Sequence, residues 1–340
     1  MLRLKCATVL VAGPADDALE QRLAIQVDGR RRAAIADVGL VGAAQPGDEV
    51  IVNVEAVELG LGSGGFDIVH VNLTRGLDGE GTPQAHVMKL NYTSLQHAVA
   101  PVEEGDADAT PPALPLAGPA AVLALHGQLA PMAWAFGQAG GGARLGYVQT
   151  AGGALPGGHS CVVRELREGG LLAGHLTAGP AFGGADGEAI TTAAALHHGL
   201  TAQGWDAAVA GPGPGILGSG SVLGHGGLQA LDSAHTALAL GCRTLLVPRM
   251  SCTDTRARHR GLSHHTTTVL DLLLAPVAVA VPEGHVPERR GRHEWIEWRT
   301  DLPGYAASGL PTRSMGREDP LFFAAALAAG GALADMIGES

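Results

Sequence analysis

Residues 244–281 read TLLVPRMSCTDTRARHRGLSHHTTTVLDLLLAPVAVAV. An apolar run, Thr244–Pro248, gives way to a polar segment, then to a helical stretch over Ser263–Leu274, then to a second apolar run, Val277–Val281. Strand, loop, helix and strand in that order are the βαβ unit of a parallel sheet. The polar segment, Ser251–His265, crowds Arg256, Arg258, Arg260, His259, His264, His265 and Asp254 between apolar neighbours. Folded chains seldom gather so many ionisable groups unless an anion or a metal occupies the space between them.

The same alternation extends upstream. Apolar runs at Ala120–Leu125, Arg144–Thr150, Leu172–Thr177 and Ala207–Gly211 read as further strands, with helices at Glu188–Gln203 and Gly227–Leu240. Each run is nearly continuous, as expected for a sheet covered on both faces. His293–Arg299 reads as a late strand and Pro320–Met336 as a closing helix. Residues 1–101 differ: short alternating runs at Ala7–Ala12, Leu23–Val27, Glu49–Val57 and Phe66–Leu73 predict a small antiparallel sheet or barrel. Turns are expected at Pro46-Gly-Asp48 and Leu61-Gly-Ser-Gly-Gly65. Between the two, residues 102–118 are acidic and Pro-rich and read as a linker, which leaves 119–340 as a Rossmann-like, mostly parallel, doubly wound α/β domain.

Composition narrows the function classes. A net charge of −11 argues against a nucleic-acid binder, which needs a basic face. The charge is uneven, with 8 Lys+Arg against 16 Asp+Glu in residues 1–120 but 9 against 6 in residues 243–300. An acidic body with a basic patch suits a small anionic partner. No apolar run is long enough for a membrane span, and the opening residues do not read as a signal peptide, so a cytoplasmic location is expected. Cys6, Cys161, Cys242 and Cys252 form no C-x-x-C pair and read as buried thiols. Self-association is left open.

In an open parallel sheet ligands collect at the carboxyl ends of the strands, and the unusual residues fall there. His126 follows the first strand of this domain, and Gly211–Gly227 follows the fourth. Gly213, Gly215, Gly218, Ser219, Gly220 and Ser221 can bring backbone N–H groups against an anion. Gly213, Gly215 and Gly218 satisfy G-x-G-x-x-G in form, but Pro214 interrupts it and no acid follows the next strand; the Walker lysine is also missing. A non-dinucleotide anion cradle therefore stands ahead of a nucleotide site, with a structural crossover loop as the alternative.

The fifth strand delivers Arg249, and Arg256, Arg258 and Arg260 are candidate clamps, since guanidinium grips phosphate or carboxylate bidentately. Paired instead with acidic side chains, they would be a solvated loop. Ser263 has the type and position of a helix N-cap and is also a candidate anion contact. His126, His259, His264 and Asp254 are candidate catalytic groups, imidazole being suited to acid–base work at neutral pH. His126, Asp254, His264 and His265 are candidate metal ligands, although no H-x-x-x-H spacing is present. No cofactor is named by any motif. Three functions remain in view: an enzyme acting on a small anionic metabolite, a phosphorylated one being one option, a metal-dependent hydrolase, and a noncatalytic ligand-binding or assembly protein.

The strings Tyr147-Val-Gln-Thr-Ala-Gly-Gly-Ala-Leu-Pro156, Gly213-Pro-Gly-Ile-Leu-Gly-Ser-Gly-Ser221 and Arg258-His-Arg-Gly-Leu-Ser-His-His265 together resemble an uncharacterised bacterial domain-of-unknown-function family, DUF3866. Leu59-Gly-Leu-Gly62 and His86-Val-Met-Lys89 extend the likeness into the first domain. The resemblance implies a bacterial origin and a two-part layout, and it carries over no catalytic residue.

Overall fold

The computed structural model describes residues 1–15, 19–61, 65–83, 85–105, 111–288 and 291–338. The chain divides into two compact units, Met1–Ala100 and Pro101–Ser340. In the first, β1 (Leu4–Ala12), β2 (Glu20–Val27), β3 (Arg30–Asp37), β4 (Glu49–Asn53) and β5 (Asp67–Asn72) close into a barrel in the order β1-β2-β3-β5-β4. All pairings are antiparallel except that of β3 with β5. Period-two alternation drives closure: Leu23, Ile25 and Val27 of β2 meet Val9, Val50, Val52 and Val69 in the interior. Short helical turns α1 (Val38–Val41) and α2 (Glu55–Glu58) interrupt the barrel, and β6 (Val87–Lys89) pairs with β7 (His97–Val99) outside it.

Two sequence readings change here. β3 was not expected, because Arg30-Arg-Arg32 masks a strand whose apolar half begins only at Ala33. The run read as Glu49–Val57 stops at Asn53, whose Oδ1 accepts from Glu55 N–H and turns the chain into α2. Most of the turn expected at Leu61–Gly65 lies outside the described residues, as do residues 106–110 of the Pro-rich stretch. Leu116, at the end of that stretch, is buried in the core of the second unit.

The second unit is built on eight parallel strands. In chain order they and their helices are β8 (Ala120–Leu123), α3 (Leu129–Ala139), β9 (Leu145–Thr150), α4 (Cys161–Glu168), β10 (Gly174–Ala178), β11 (Glu188–Ala189), α5 (Thr192–Thr201) and β12 (Ala207–Pro212). There follow α6 (Gln229–Ala239), β13 (Thr244–Val247), the small pair β14 (Met250–Ser251) and β15 (Gly261–Leu262), and α7 (His264–Leu272). β16 (Ala278–Pro282), β17 (Glu294–Trp298), α8 (Leu302–Ala307) and α9 (Pro320–Asp335) complete the chain. The sheet order is β11-β10-β9-β12-β8-β13-β16-β17.

Helices cover both faces. On one, α3, α4 and α9 pack on Ala121, Leu123, Tyr147, Val209, Leu245 and Ala280; on the other, α5, α6 and α7 pack on Ala120, Val122, Val148, Ala210, Leu246 and Val279. Neighbouring residues of one strand thus serve opposite cores, which explains the unbroken apolar runs. The segment read as a helix from Glu188 begins as strand β11, and the helix starts only after Thr191, whose hydroxyl caps Ala194 N–H. No helix among the described residues is long and apolar enough to cross a membrane. None of the four cysteines is in a disulfide, and of the four only Cys242 is buried.

Several glycines set how closely these layers approach. A Cβ at Gly146 would lie 1.9 Å from the Trp205 ring, and one at Gly330 of α9 would lie 2.1 Å from Met132 O of α3. On helix propensity alone, Gly330→Ala would gain about 1 kcal/mol. The backbone of α3 cannot step aside without losing its own packing, and overpacking of this kind costs about 1–3 kcal/mol. Both Gly330→Ala and Gly146→Ala should therefore lower stability in urea unfolding. A gain from Gly330→Ala would show that α3 and α9 do not touch at this point.

Candidate functional site

The carboxyl edge of the sheet gathers four connections. The chain leaves β8 at His126, β9 through a loop to Ser160, β12 through Gly213–Gly227, and β13 at Arg249 and the polar segment. Loop is laid directly on loop: Ala154 N–H donates to Pro214 O at 2.7 Å, Leu217 N–H to Gly152 O at 3.1 Å, and Gly226 N–H to Leu217 O at 2.7 Å. A Cβ at Gly213 would stand 2.3 Å from Ala154 O, and one at Gly226 2.0 Å from Gly152 O. Loop packing alone therefore accounts for these two glycines. Gly215 has φ +69°, whereas a Cβ at Gly218 would make an ordinary 4.0 Å contact with the His225 Cβ and one at Gly220 would meet nothing within 4 Å, so neither imposes a steric demand. Ser219 and Ser221 cap each other's loop, Ser219 Oγ accepting from Ser221 N–H at 3.2 Å and Ser221 Oγ from Leu223 N–H at 3.3 Å. α6 begins only at Gln229, so the G-x-G-x-x-G stretch does not sit on its N-terminus.

His126 belongs to a buried layer beneath this edge. Its Nε2 lies 2.8 Å from Ser160 Oγ and its Nδ1 3.2 Å from Pro212 O. A carbonyl only accepts, so Nδ1 carries the proton and Nε2 receives the Ser160 hydroxyl. Ser160 in turn accepts from Val163 N–H as the N-cap of α4. Tyr147 OH donates to the Gly211 and Pro212 carbonyls, and its ring stacks on His175 with centroids 5.4 Å apart. Burial pushes His126 down to about 4 and His175 to about 3, with Arg167 and His126 lowering His175 further. None of these side chains joins the polar segment. Ser160, Tyr147 and His175 carried no sequence signal, because each lies within an apolar run or at an ordinary cap.

The polar segment is organised around Asp254, which is fully buried. Its carboxylate accepts from Arg256 through Nε at 3.0 Å and Nη2 at 2.9 Å, from Arg317 Nη2 at 3.1 Å and from Arg249 Nη2 at 3.3 Å. The Arg256 hydrogen bonds hold the Asp254 carboxyl well below its ordinary range. Arg260 Nε donates to the Asp254 carbonyl at 3.0 Å, and Arg258 Nη1 crosses to Gly220 O at 3.2 Å. Asp254 is therefore a structural anion; engaged by three guanidiniums, it is withdrawn from the metal ligands and catalytic groups that its sequence position suggested. Asp319 lies alongside and accepts from Ser251 Oγ and from Cys252 N–H. Arg317 and Asp319 come from a distant part of the chain and were invisible to local reading.

Next to the arginines lie four imidazoles. His225 stacks on His265 with centroids 3.6 Å apart; His259 lies 4.7 Å from His264 and 4.8 Å from His265, and His264 lies 4.4 Å from His265. His225 stands at the end of the glycine tract and had been read only as part of it. Ser263 caps α7 through His265 N–H, as its sequence position predicted, and its Oγ also lies 2.7 Å from His259 Nδ1. Arg249 Nη1 lies 3.0 Å from His265 Nδ1. A guanidinium can only donate, so that nitrogen is unprotonated. Burial, then the Arg249 charge, pushes His259 down to about 4, and burial also lowers His225, His264 and His265. These shifts all favour the neutral form of the ring. Burial lowers the Arg249 guanidinium itself to about 10, with Arg256 adding to the effect.

A family model described as Protein of unknown function (DUF3866) matches residues 33–330. No curated protein and no solved structure matches the chain.

The buried layer fixes a pH response. His126 and His175 are held neutral with values near 4 and 3, below the ordinary 6.5, so as pH falls the unfolded chain takes up protons first. Their stabilising contribution is intact above about pH 6.5 and is lost towards pH 4, at about 1.4 kcal/mol per pH unit for each histidine. His175→Phe preserves the stack on Tyr147 and removes one such site. Urea titrations over this range should give a slope shallower by about one histidine's share; an unchanged slope would mean that His175 is not the source.

Proposed function

The chain belongs to the DUF3866 family, and we propose that it is an enzyme acting on a small anionic metabolite, phosphorylated or carboxylated, at the carboxyl edge of its parallel sheet. The observation that carries this reading is an imbalance of charge. Arg249, Arg256, Arg258, Arg260 and Arg317 converge on this edge, where the carboxylates beside them are Asp254 and Asp319. Arg249 is buried and paired with Asp254, while Arg256, Arg258 and Arg260 are exposed and Arg317 partly so; guanidiniums this close repel one another, and a bound phosphate or carboxylate relieves that repulsion. Arg256 and Arg317 keep 48% and 31% of their side chains exposed, which leaves N–H groups available to a ligand. Among the described residues Arg258 hydrogen-bonds to the Gly220 carbonyl, on the exposed loop that also holds Ser219 and Ser221.

The neutral imidazoles beside this charge supply lone pairs, as proton acceptors or as ligands to a cation. A metal-dependent hydrolase is the narrower form of the same reading and depends on the ion considered below. A ligand bound and released unchanged would instead make the chain a receptor.

Thermal unfolding with phosphate, sulfate and a panel of phosphorylated and carboxylated metabolites tests the anion, and mass spectrometry of the same mixtures tests turnover. At least one of these anions should raise the melting temperature in a saturable way. Arg258→Ala is the cleanest probe, because Arg258 takes no part in holding Asp254. A charged hydrogen bond is worth about 1.5–3 kcal/mol, so affinity should fall roughly 10- to 100-fold. Undiminished affinity in this variant would reject the arginine assignment.

A further inference from the structure

We propose that His259, His264 and His265, with His225 stacked against them, form a binding site for one divalent transition-metal ion of the zinc type. The inference deepens the reading above in its location, yet it stands on the imidazoles rather than on the arginines. One ligand nitrogen from each of His259, His264 and His265 lies within 4.8 Å of the others. Zinc bonds of 2.0–2.1 Å in a tetrahedron set such nitrogens roughly 3.4 Å apart, so rotations on the order of an ångström at the rings gather them.

The nitrogens themselves supply the second observation. His259 Nε2 and His264 Nε2 are buried and meet no hydrogen-bond partner, and the buried His225 ring beside them has the Val222 backbone near it. His259 is wholly inaccessible and His225 is 7% exposed. An unpaired buried polar atom costs about 1–3 kcal/mol, and neighbouring unpaired nitrogens on His259 and His264 call for a shared partner. Each neutral imidazole offers one lone pair, and a cation can take a lone pair from several of these rings at once, where a water molecule donates to two.

The surroundings favour this use. The Ser263 hydroxyl engages His259 Nδ1 and so turns Nε2 towards the other rings, as a hydrogen-bond partner on the far nitrogen orients metal-binding histidines. Arg249 already selects the tautomer of His265 in which Nδ1 is a lone pair; a metal and the guanidinium compete for that nitrogen. No carboxylate oxygen belongs to the donor set, since Asp254 is held by arginines. All-nitrogen donors select zinc, cobalt, nickel or copper over magnesium or calcium.

Chelator-treated full-length protein titrated with Co2+ and Zn2+ tests the site. One Co2+ per chain should bind, with the visible spectrum of nitrogen ligation, and Zn2+ should displace it. His264→Gln should weaken binding by roughly 100-fold or more, and Ser263→Ala, acting through ring orientation, by about 10- to 100-fold. Retained circular dichroism separates these losses from misfolding, and because His259 is fully buried the partly exposed His264 is the safer substitution. His285→Gln, at an exposed site, should leave stoichiometry unchanged. Failure to bind either ion at micromolar protein, or equal affinity in the His264→Gln variant, overturns the metal site. Anion-induced stabilisation that persists in chelated protein would then leave the proposed function standing without it; metal binding with no anion response would do the reverse.

Discussion

A parallel sheet whose two faces are both sealed by helices has nowhere inside it for a charge to go. Ala120 and Ala121, or Val209 and Ala210, are neighbours that point into opposite apolar cores. Charged side chains are therefore displaced to the ends of the strands, and the parallel direction of the strands places the strand-to-helix loops together at the carboxyl end. The gathering of imidazoles and guanidiniums at that edge follows from this constraint more than from any local preference of the residues concerned.

Asp254 is what gives the edge a definite shape. A carboxylate with no exposure persists only when its charge is matched, and breaking such a buried pair typically costs about 3–5 kcal/mol. Here the matching groups come from the strand end (Arg249), from the loop itself (Arg256) and from the segment before α9 (Arg317). One anion thereby ties three separate parts of the unit, and the loop it organises presents His259 and Ser263 at the start of α7. The same bonds consume donor capacity, so the outward faces of Arg256 and Arg317, with Arg258 and the terminal nitrogens of Arg260, are what remain open for a ligand.

How much of this was legible in the sequence depended on whether the signal was local. The strands and helices of the second unit were readable because continuous apolar runs and caps such as Ser263 are encoded within a few residues. β3 was hidden, since three arginines at its start outweigh the alternation that follows. The glycine tract gave a mixed signal: Gly213 and Gly226 answer to close loop contacts, which look identical in sequence to a ligand cradle. Arg317 and His225 could not be assigned, because their partnerships with Asp254 and His265 exist only after the chain has folded over large separations. His126 shows the converse, a residue at the expected strand end whose ring is turned into the buried layer with Ser160.

Taken together, the two ligand proposals constrain one another through charge. A divalent ion on His265 Nδ1 would stand within about 5 Å of the Arg249 guanidinium and be repelled by roughly 7 kcal/mol at an effective dielectric of 20, and several further guanidiniums lie at this edge. Structural zinc sites are worth about 10–16 kcal/mol, so imidazole ligation survives one such neighbour but is strongly weakened by a group of them. An anion resting between ion and arginines reverses the sign of both interactions at once. Binding of either partner then lowers the cost of binding the other, and by linkage the enhancement must be equal in both directions. Arginines beside a histidine cluster, which would be a poor design for holding a bare metal, are in this way a coherent design for holding a metal together with its anionic ligand.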